Sequence, residues 1–174
     1  VYRRLRQMCI RDSKCIGNIS ENETEINSII HDFDLPTEFP SDVKEETELL
    51  NEIISEKEIK KRKDLRPIDS FTIDPDDAKD FDDALSVEKE KDNISIGIHI
   101  ADVSHFFNVK TKINKEAEKR ATSVYLVDRT IPMLPEKLSN NLCSLKPNVD
   151  RLTFSVIIKF DSNLSIVDLS LIHI

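Results

Sequence analysis

From Glu23 onward, apolar residues recur at helical spacing through Ile26, Ile29, Ile30 and Phe33, and Pro36 stops the pattern. The spacing predicts a first helix there. Pro40 then precedes Ser41, a residue type suited to an N-cap, and Val43, Leu49, Leu50, Ile53 and Ile54 predict a second helix. The stretch 20–60 is acidic and thin in apolar side chains, which suits a connecting or capping segment better than a core. Past Pro67 the period changes. Ser70–Ile73 and Ala84–Glu88 read as short strands, and Ile94, Ile96, Ile98 and Ile100 alternate strictly with Ser95, Gly97 and His99. That run is the clearest strand in the chain, and Lys89–Asn93 is the turn that leads into it. Lys112–Arg120 predicts a helix and Ser123–Val127 a strand. Pro132, Pro135 and Pro147 punctuate a long loop, and Leu152–Phe160 with Ser165–Leu169 read as a hairpin. The class is α+β, without internal repeats.

Composition narrows the choices. A chain of 174 residues, 39% hydrophobic and 33% charged, can bury a core as one domain or as part of a larger one. No apolar run approaches the ~20 residues of a membrane-spanning helix. The two glycines, Gly17 and Gly97, are too few for a phosphate-cradling loop or a dinucleotide fingerprint. Three cysteines without a CxxC pair exclude a zinc ribbon and a disulfide framework. A formal charge of −8 argues against a bulk electrostatic grip on nucleic acid. The one basic run, Lys60, Lys61, Arg62, Lys63 and Arg66, is either a solvated helix end or a contact for a phosphate backbone.

The two ends stand apart. Met8–Ser13 can be encoded by ATG TGT ATA AGA GAC AG, whose reverse complement, CTG TCT CTT ATA CAC AT, reads as Leu169–Ile174. Such inverted ends resemble the transposon end used to fragment DNA for sequencing. Residues 1–13 and 169–174 are therefore expected to be sequencing-adapter scars, set aside from fold reasoning. Removing them takes away Arg3, Arg4, Arg6 and Arg11 against Asp12, so the charge of residues 14–168 moves from −8 to −11. Cys15 and Cys143 then remain, as reduced thiols of a cytoplasmic protein, and the chain reads as a fragment.

The densest chemistry is Thr72-Ile-Asp74-Pro-Asp76-Asp77-Ala-Lys-Asp80-Phe-Asp82-Asp83, six aspartates within ten residues. Crowded carboxylates raise one another's pKa and repel. A hard divalent cation such as Mg²⁺ or Mn²⁺, which prefers oxygen ligands, would offset that. A solvated acidic turn is the other reading. An EF-hand is excluded: counted from Asp74, the required acid, glycine and glutamate fall on Ala78, Lys79 and Leu85. Among metal chemistries that need carboxylates but no glycine loop, phosphodiester hydrolysis fits. Two cations about 3.5–4 Å apart activate water and stabilise the leaving oxygen, so the protein supplies only acids.

Asp74-x5-Asp80-x-Asp82-Asp83 resembles the catalytic signature of the ribonuclease II and ribonuclease R family of 3′→5′ exoribonucleases. His99–His105, Arg120–Leu126, Ile131–Asn140 and Leu142–Leu145 follow the family's motifs in order, from about Lys63 to Phe160, and Ile131–Asn140 is more similar to ribonuclease R. The resemblance implies a partial RNB catalytic domain over 63–168, truncated, with antiparallel or mixed sheet and helices. A helical linker over 14–62 would precede it, after a cold-shock-like barrel whose last strand is Lys14–Gly17. It further implies that Asp74, Asp80, Asp82 and Asp83 hold Mg²⁺ or Mn²⁺, with Asp82 the acid most critical for turnover. Tyr125 would stack on the 3′-terminal base; from its strand setting alone it reads as an ordinary half-buried tyrosine. The implied parent is a cytoplasmic monomer, not bound to membrane, that hydrolyses single-stranded RNA processively to 5′-mononucleotides. The alternatives are an inactive RNA-binding relative and a truncated chain without activity of its own. The downstream arginine and the flanking barrels of the family lie outside this sequence. Asp76 and Asp77 are expected as turn residues, Asp102 as structural, and Cys143 as a small buried apolar residue. His99 and His105 are expected as packing or hydrogen-bonding residues, no serine or cysteine being placed to form a triad with them. Asn141 stands where the family often has glycine, and tolerates left-handed geometry.

Overall fold

The computed structural model describes residues 22–174; the expected scar at 1–13 and the expected barrel strand Lys14–Gly17 lie outside them. In chain order its elements are α1 (Asn22–Asp32), α2 (Ser41–Glu48), α3 (Glu56–Ile59), β1 (Ser70–Phe71), β2 (Asp83–Glu90), β3 (Asn93–Ala101) and α4 (Lys112–Arg120). There follow β4 (Val124–Tyr125), β5 (Thr130–Ile131), a π-helical turn at Leu138–Leu142, β6 (Thr153–Phe160) and β7 (Ile166–His173). They fall into two units, one containing the described residues up to Glu38 with Tyr125–Ile131, the other Phe39–Val124 with Pro132–Ile174. Among the described residues no helix is long and apolar enough to cross a membrane.

In the first unit α1 ends before Pro36 in a Schellman motif. Asp34 takes φ 50°, Leu35 N–H donates to Ile30 O at 2.9 Å and Asp34 N–H to His31 O at 3.2 Å. Leu126 N–H donates to Arg129 O at 2.8 Å, closing the turn between β4 and β5.

The second unit is built on a five-stranded antiparallel sheet in the order β1-β2-β3-β6-β7. Opposed residues share a face, so the register sorts the sheet into two sides. One carries Ala84 and Ser86, then Gly97, His99 and Ala101, then Thr153 and Ser155, all buried. The other carries the isoleucines of β3 beside Val87, Phe154, Leu169 and Leu171, and it is the more open side, with Ile100 48% exposed and Leu171 59%. Isoleucine alternation gives the strand; the small and polar residues between mark its buried face. Gly97 is required there, because a Cβ would stand 2.6 Å from His99 Nε2 and nearer still to Ser86 Oγ.

The core lies beside the Ala101 end of the sheet, where Val43, Ala101, Ile113, Leu134, Leu138, Leu142 and Cys143 form one buried cluster. Thr111 caps α4 by accepting from Asn114 N–H at 3.2 Å, and Glu46 of α2 accepts from Ile113 N–H at 2.8 Å, which docks the two helices. Arg120 closes α4 from inside. It pairs with Glu116 at 2.9 Å, donates to Pro132 O at 3.0 Å and lies 3.7 Å over the Phe39 ring.

Several boundaries differ from the sequence pattern. Pro40, not Ser41, is the N-cap of α2, and no side chain caps it. That helix stops at Glu48, before Leu49, Leu50, Ile53 and Ile54, and the Asn51 side chain then accepts from Ile53 N–H at 2.9 Å in a local turn. Within the span 14–62, Phe39–Arg62 belongs to the same unit as the sheet. Leu169–His173, set aside as scar, forms the second half of β7 and pairs with β6 from Ile158 to Phe154. Its alternation supplies a pairing surface whatever its origin.

Candidate active site

The acid segment runs between β1 and β2. Pro75–Ala78 makes a tight turn, with Ala78 N–H donating to Pro75 O at 3.0 Å, and this leaves Asp76 and Asp77 exposed on its tip. Asp74 enters that turn, while Asp80, Phe81 and Asp82 leave it and Asp83 opens β2. Ala101 N–H donates to Asp82 O at 3.0 Å, and Leu145 N–H to Phe81 O at 2.8 Å, so the segment is tied to the sheet end and to the loop after the π turn.

Asp74, Asp80 and Asp83 lie within electrostatic reach of Asp82. Partial burial first, and then the charges of Asp80, Asp83 and Asp74, hold the Asp82 carboxyl above the ordinary carboxylate range. Asp74 Oδ2 is buried and has no hydrogen-bond partner among the described residues. Such an oxygen is costly unless something positive meets it. Among the described residues, however, no three His, Cys, Asp or Glu side chains are gathered tightly enough to hold a metal ion as they stand. Four oxygen donors with one orphaned carboxylate atom fit a hard divalent cation.

Tyr125, the other residue singled out, is placed in the first unit on β4, and is 65% exposed rather than half-buried. Cys143 is buried, and burial, helped by the nearby Asp82 and Asp102 charges, pushes its thiol up to about 12.

His99 is a hydrogen-bonding residue, as expected from sequence, and its partners are serines brought beside it by the fold. Its Nε2 lies 2.9 Å from Ser86 Oγ and its Nδ1 2.9 Å from Ser155 Oγ, with Thr153 Oγ1 a further 2.9 Å on. Strand register, not sequence proximity, assembles this chain. All four residues are buried and, among the described residues, no carboxylate hydrogen-bonds to them, which makes this a core network, and burial holds the His99 imidazole below its usual pKa. His105 stands 3.9 Å from Glu58 and edge-on to Phe106.

Three residues of the basic run form ion pairs, and of these only the Arg62 side chain is buried. Arg62 pairs with Glu58 and Asp102, Lys61 with Glu58, and Arg66 with Asp64 and Asp150. Asn141 keeps a negative φ within the π turn, and its side-chain oxygen accepts from Arg151 at 3.2 Å. Ser144 and Arg151 are residues that sequence reasoning passed over, because their partners are brought together only by the fold.

The profile of the RNB domain family matches residues 62–173. Ribonuclease R of Mycoplasmopsis pulmonis is 46% identical over 148 residues, which is 85% of this chain and 20% of the relative. The chain thus spans about a fifth of the length of the curated relatives it matches. Among solved structures, Mycoplasma genitalium RNase R in complex with double-stranded RNA superposes with a TM-score of 0.84 at 32% identity, covering 91% of this chain and 28% of that one. The same enzyme in complex with ribose methylated single-stranded RNA gives 0.83, also at 32% identity, covering 91% and 25%.

Proposed function

The chain belongs to the RNB domain family, and from that membership we propose that it carries the cation-binding acids of a 3′→5′ exoribonuclease. The parent protein hydrolyses single-stranded RNA processively to 5′-mononucleotides, as a monomer in the cytoplasm. The observation that carries this reading is the orphaned Asp74 Oδ2, on the segment where the charges of Asp80, Asp83 and Asp74 help to raise the Asp82 carboxyl.

Asp74, Asp80, Asp82 and Asp83 would hold Mg²⁺ or Mn²⁺. Bound there, the cations supply an activated water and stabilise the leaving oxygen of the phosphodiester. The chain's own work is to present the acids. The backbone tie from Ala101 to Asp82 sets where that carboxylate emerges, and Asp83 is fixed by its place at the start of β2. The exposed ring of Tyr125 suits a stacking platform for a terminal base, which is sequence-tolerant because every base offers a π-face. On this reading the 174-residue chain alone binds the cation without turnover.

The test uses the full-length parent with 5′-labelled single-stranded RNA and Mg²⁺, beside an EDTA control and Asp82→Asn. Shortening from the 3′ end that both controls abolish supports the exonuclease and its metal site. RNA that stays intact but bound would replace this reading with an RNA-binding relic.

A further inference from the structure

Ser144 is wholly buried, at 0% exposure, and stands just after the π turn. Its hydroxyl donates to Lys79 O at 2.7 Å and accepts from Phe81 N–H at 3.1 Å. With the bonds from Leu145 N–H to Phe81 O and from Ala101 N–H to Asp82 O, the backbone of Lys79–Asp82 is held at four points. None of them belongs to the strand ladders, and the two made by Ser144 join residues 65 and 63 apart in sequence.

The serine is itself held. Arg151 Nε donates to Ser144 O at 3.0 Å and to Asn141 O at 3.1 Å, while its Nη2 donates to the Asn141 side-chain oxygen at 3.2 Å. A guanidinium in such a fork rigidifies the exit of the π turn. The chain of bonds runs from Arg151 through Ser144 to the two residues that flank Asp80.

We propose that Ser144 is a positioning residue for the aspartate segment. Its hydroxyl, braced by Arg151, fixes the backbone of Lys79–Asp82 so that Asp80 and Asp82 face the same cation. This rests on the metal-binding reading above. The hydroxyl satisfies an acceptor and a donor on either side of Asp80, so its removal leaves Lys79 O and Phe81 N–H without that partner and loosens the backbone that carries the aspartate. Groups that orient ligands from behind are typically worth about 10–100-fold in metal affinity.

The experiment compares the 174-residue chain with Ser144→Ala and with Thr47→Ala, a control that removes another buried hydroxyl bond, from Thr47 Oγ1 to Val43 O at 2.8 Å. Mn²⁺ affinity is measured by titration, and amide exchange at Phe81 without metal. Ser144→Ala is expected to weaken Mn²⁺ about ten-fold and to speed Phe81 exchange, while Thr47→Ala leaves both unchanged. Unchanged exchange in Ser144→Ala, unchanged affinity despite faster exchange, or an equal loss in Thr47→Ala would each overturn the proposal. If the unaltered chain does not bind Mn²⁺, the metal reading itself falls, and the exchange arm still decides whether Ser144 holds the segment.

Discussion

Arg62 Nη2 meets Asp102 Oδ2 at 2.7 Å, with only 7% and 4% of the two side chains exposed. A residue from the one basic run thus serves as the buried partner of an acid forty positions away. Ser104 Oγ donates to the other Asp102 oxygen at 2.7 Å. Removing one member of a buried pair strands the other charge and costs about 3–5 kcal/mol. Asp102→Ala and Arg62→Ala are therefore expected to lower unfolding free energy by that order in urea, and Lys63→Ala to leave it nearly unchanged.

The same pair fixes the acid limit of stability. Burial alone would raise the Asp102 carboxyl, but the Ser104 hydroxyl and the Arg62 guanidinium outweigh it and hold the group below the ordinary carboxylate range. A depressed carboxyl stabilises the fold above its unfolded pKa and loses that contribution as pH falls through the folded value. Acid unfolding followed by circular dichroism should show stability falling from about pH 4 downward, with a shallower slope in Asp102→Asn.

Gly97 and His99 make a second coupled pair. A methyl group on residue 97 has no room beneath the imidazole and the Ser86 hydroxyl. Overpacking of this kind typically costs about 1–3 kcal/mol, so Gly97→Ala should lower the urea midpoint by a matching amount. Ser86→Ala in the same chain should recover part of it, by clearing the nearer of the two clashes.

His99 gives the opposite pH dependence from an exposed histidine that gains an acid. Burial favours its neutral form, so its folded pKa lies below that of the unfolded chain. Between the two values the unfolded state binds more protons, and stability drops as pH falls from about 6.5. Comparing unfolding free energy at pH 7.5 and pH 5.5 should show a loss that His99→Asn removes. An equal loss in both proteins would mean that the imidazole does not carry it.

Strand β3 and the aspartate segment were legible in the sequence because each is local: a period of two, and acids within ten residues of one another. Which face of β3 is buried was not legible, since alternation gives a period and not a sign. Tertiary register decided it, by stacking Gly97 between Ser86 and Ile157 and His99 between Ala84 and Ser155. The parts played by Arg62, Ser144 and Arg151 were hidden for a related reason. Their chemistry is ordinary, and only contacts across the fold give each of them a particular task.

Cation binding should itself be visible as stability. A ligand that binds the folded state alone adds about 2.7 kcal/mol at a hundred times its dissociation constant. In a domain of this size each kcal/mol moves the melting midpoint by roughly 2–4 °C. Saturating Mn²⁺ should therefore raise the midpoint of the chain by about 5–10 °C, read by circular dichroism. Asp74→Asn and Asp82→Asn should each remove most of that rise. Asp76→Asn, on the exposed tip of the Pro75–Ala78 turn, should keep it. A rise that survives Asp74→Asn but not Asp76→Asn would move the cation from the buried end of the segment to its solvated turn.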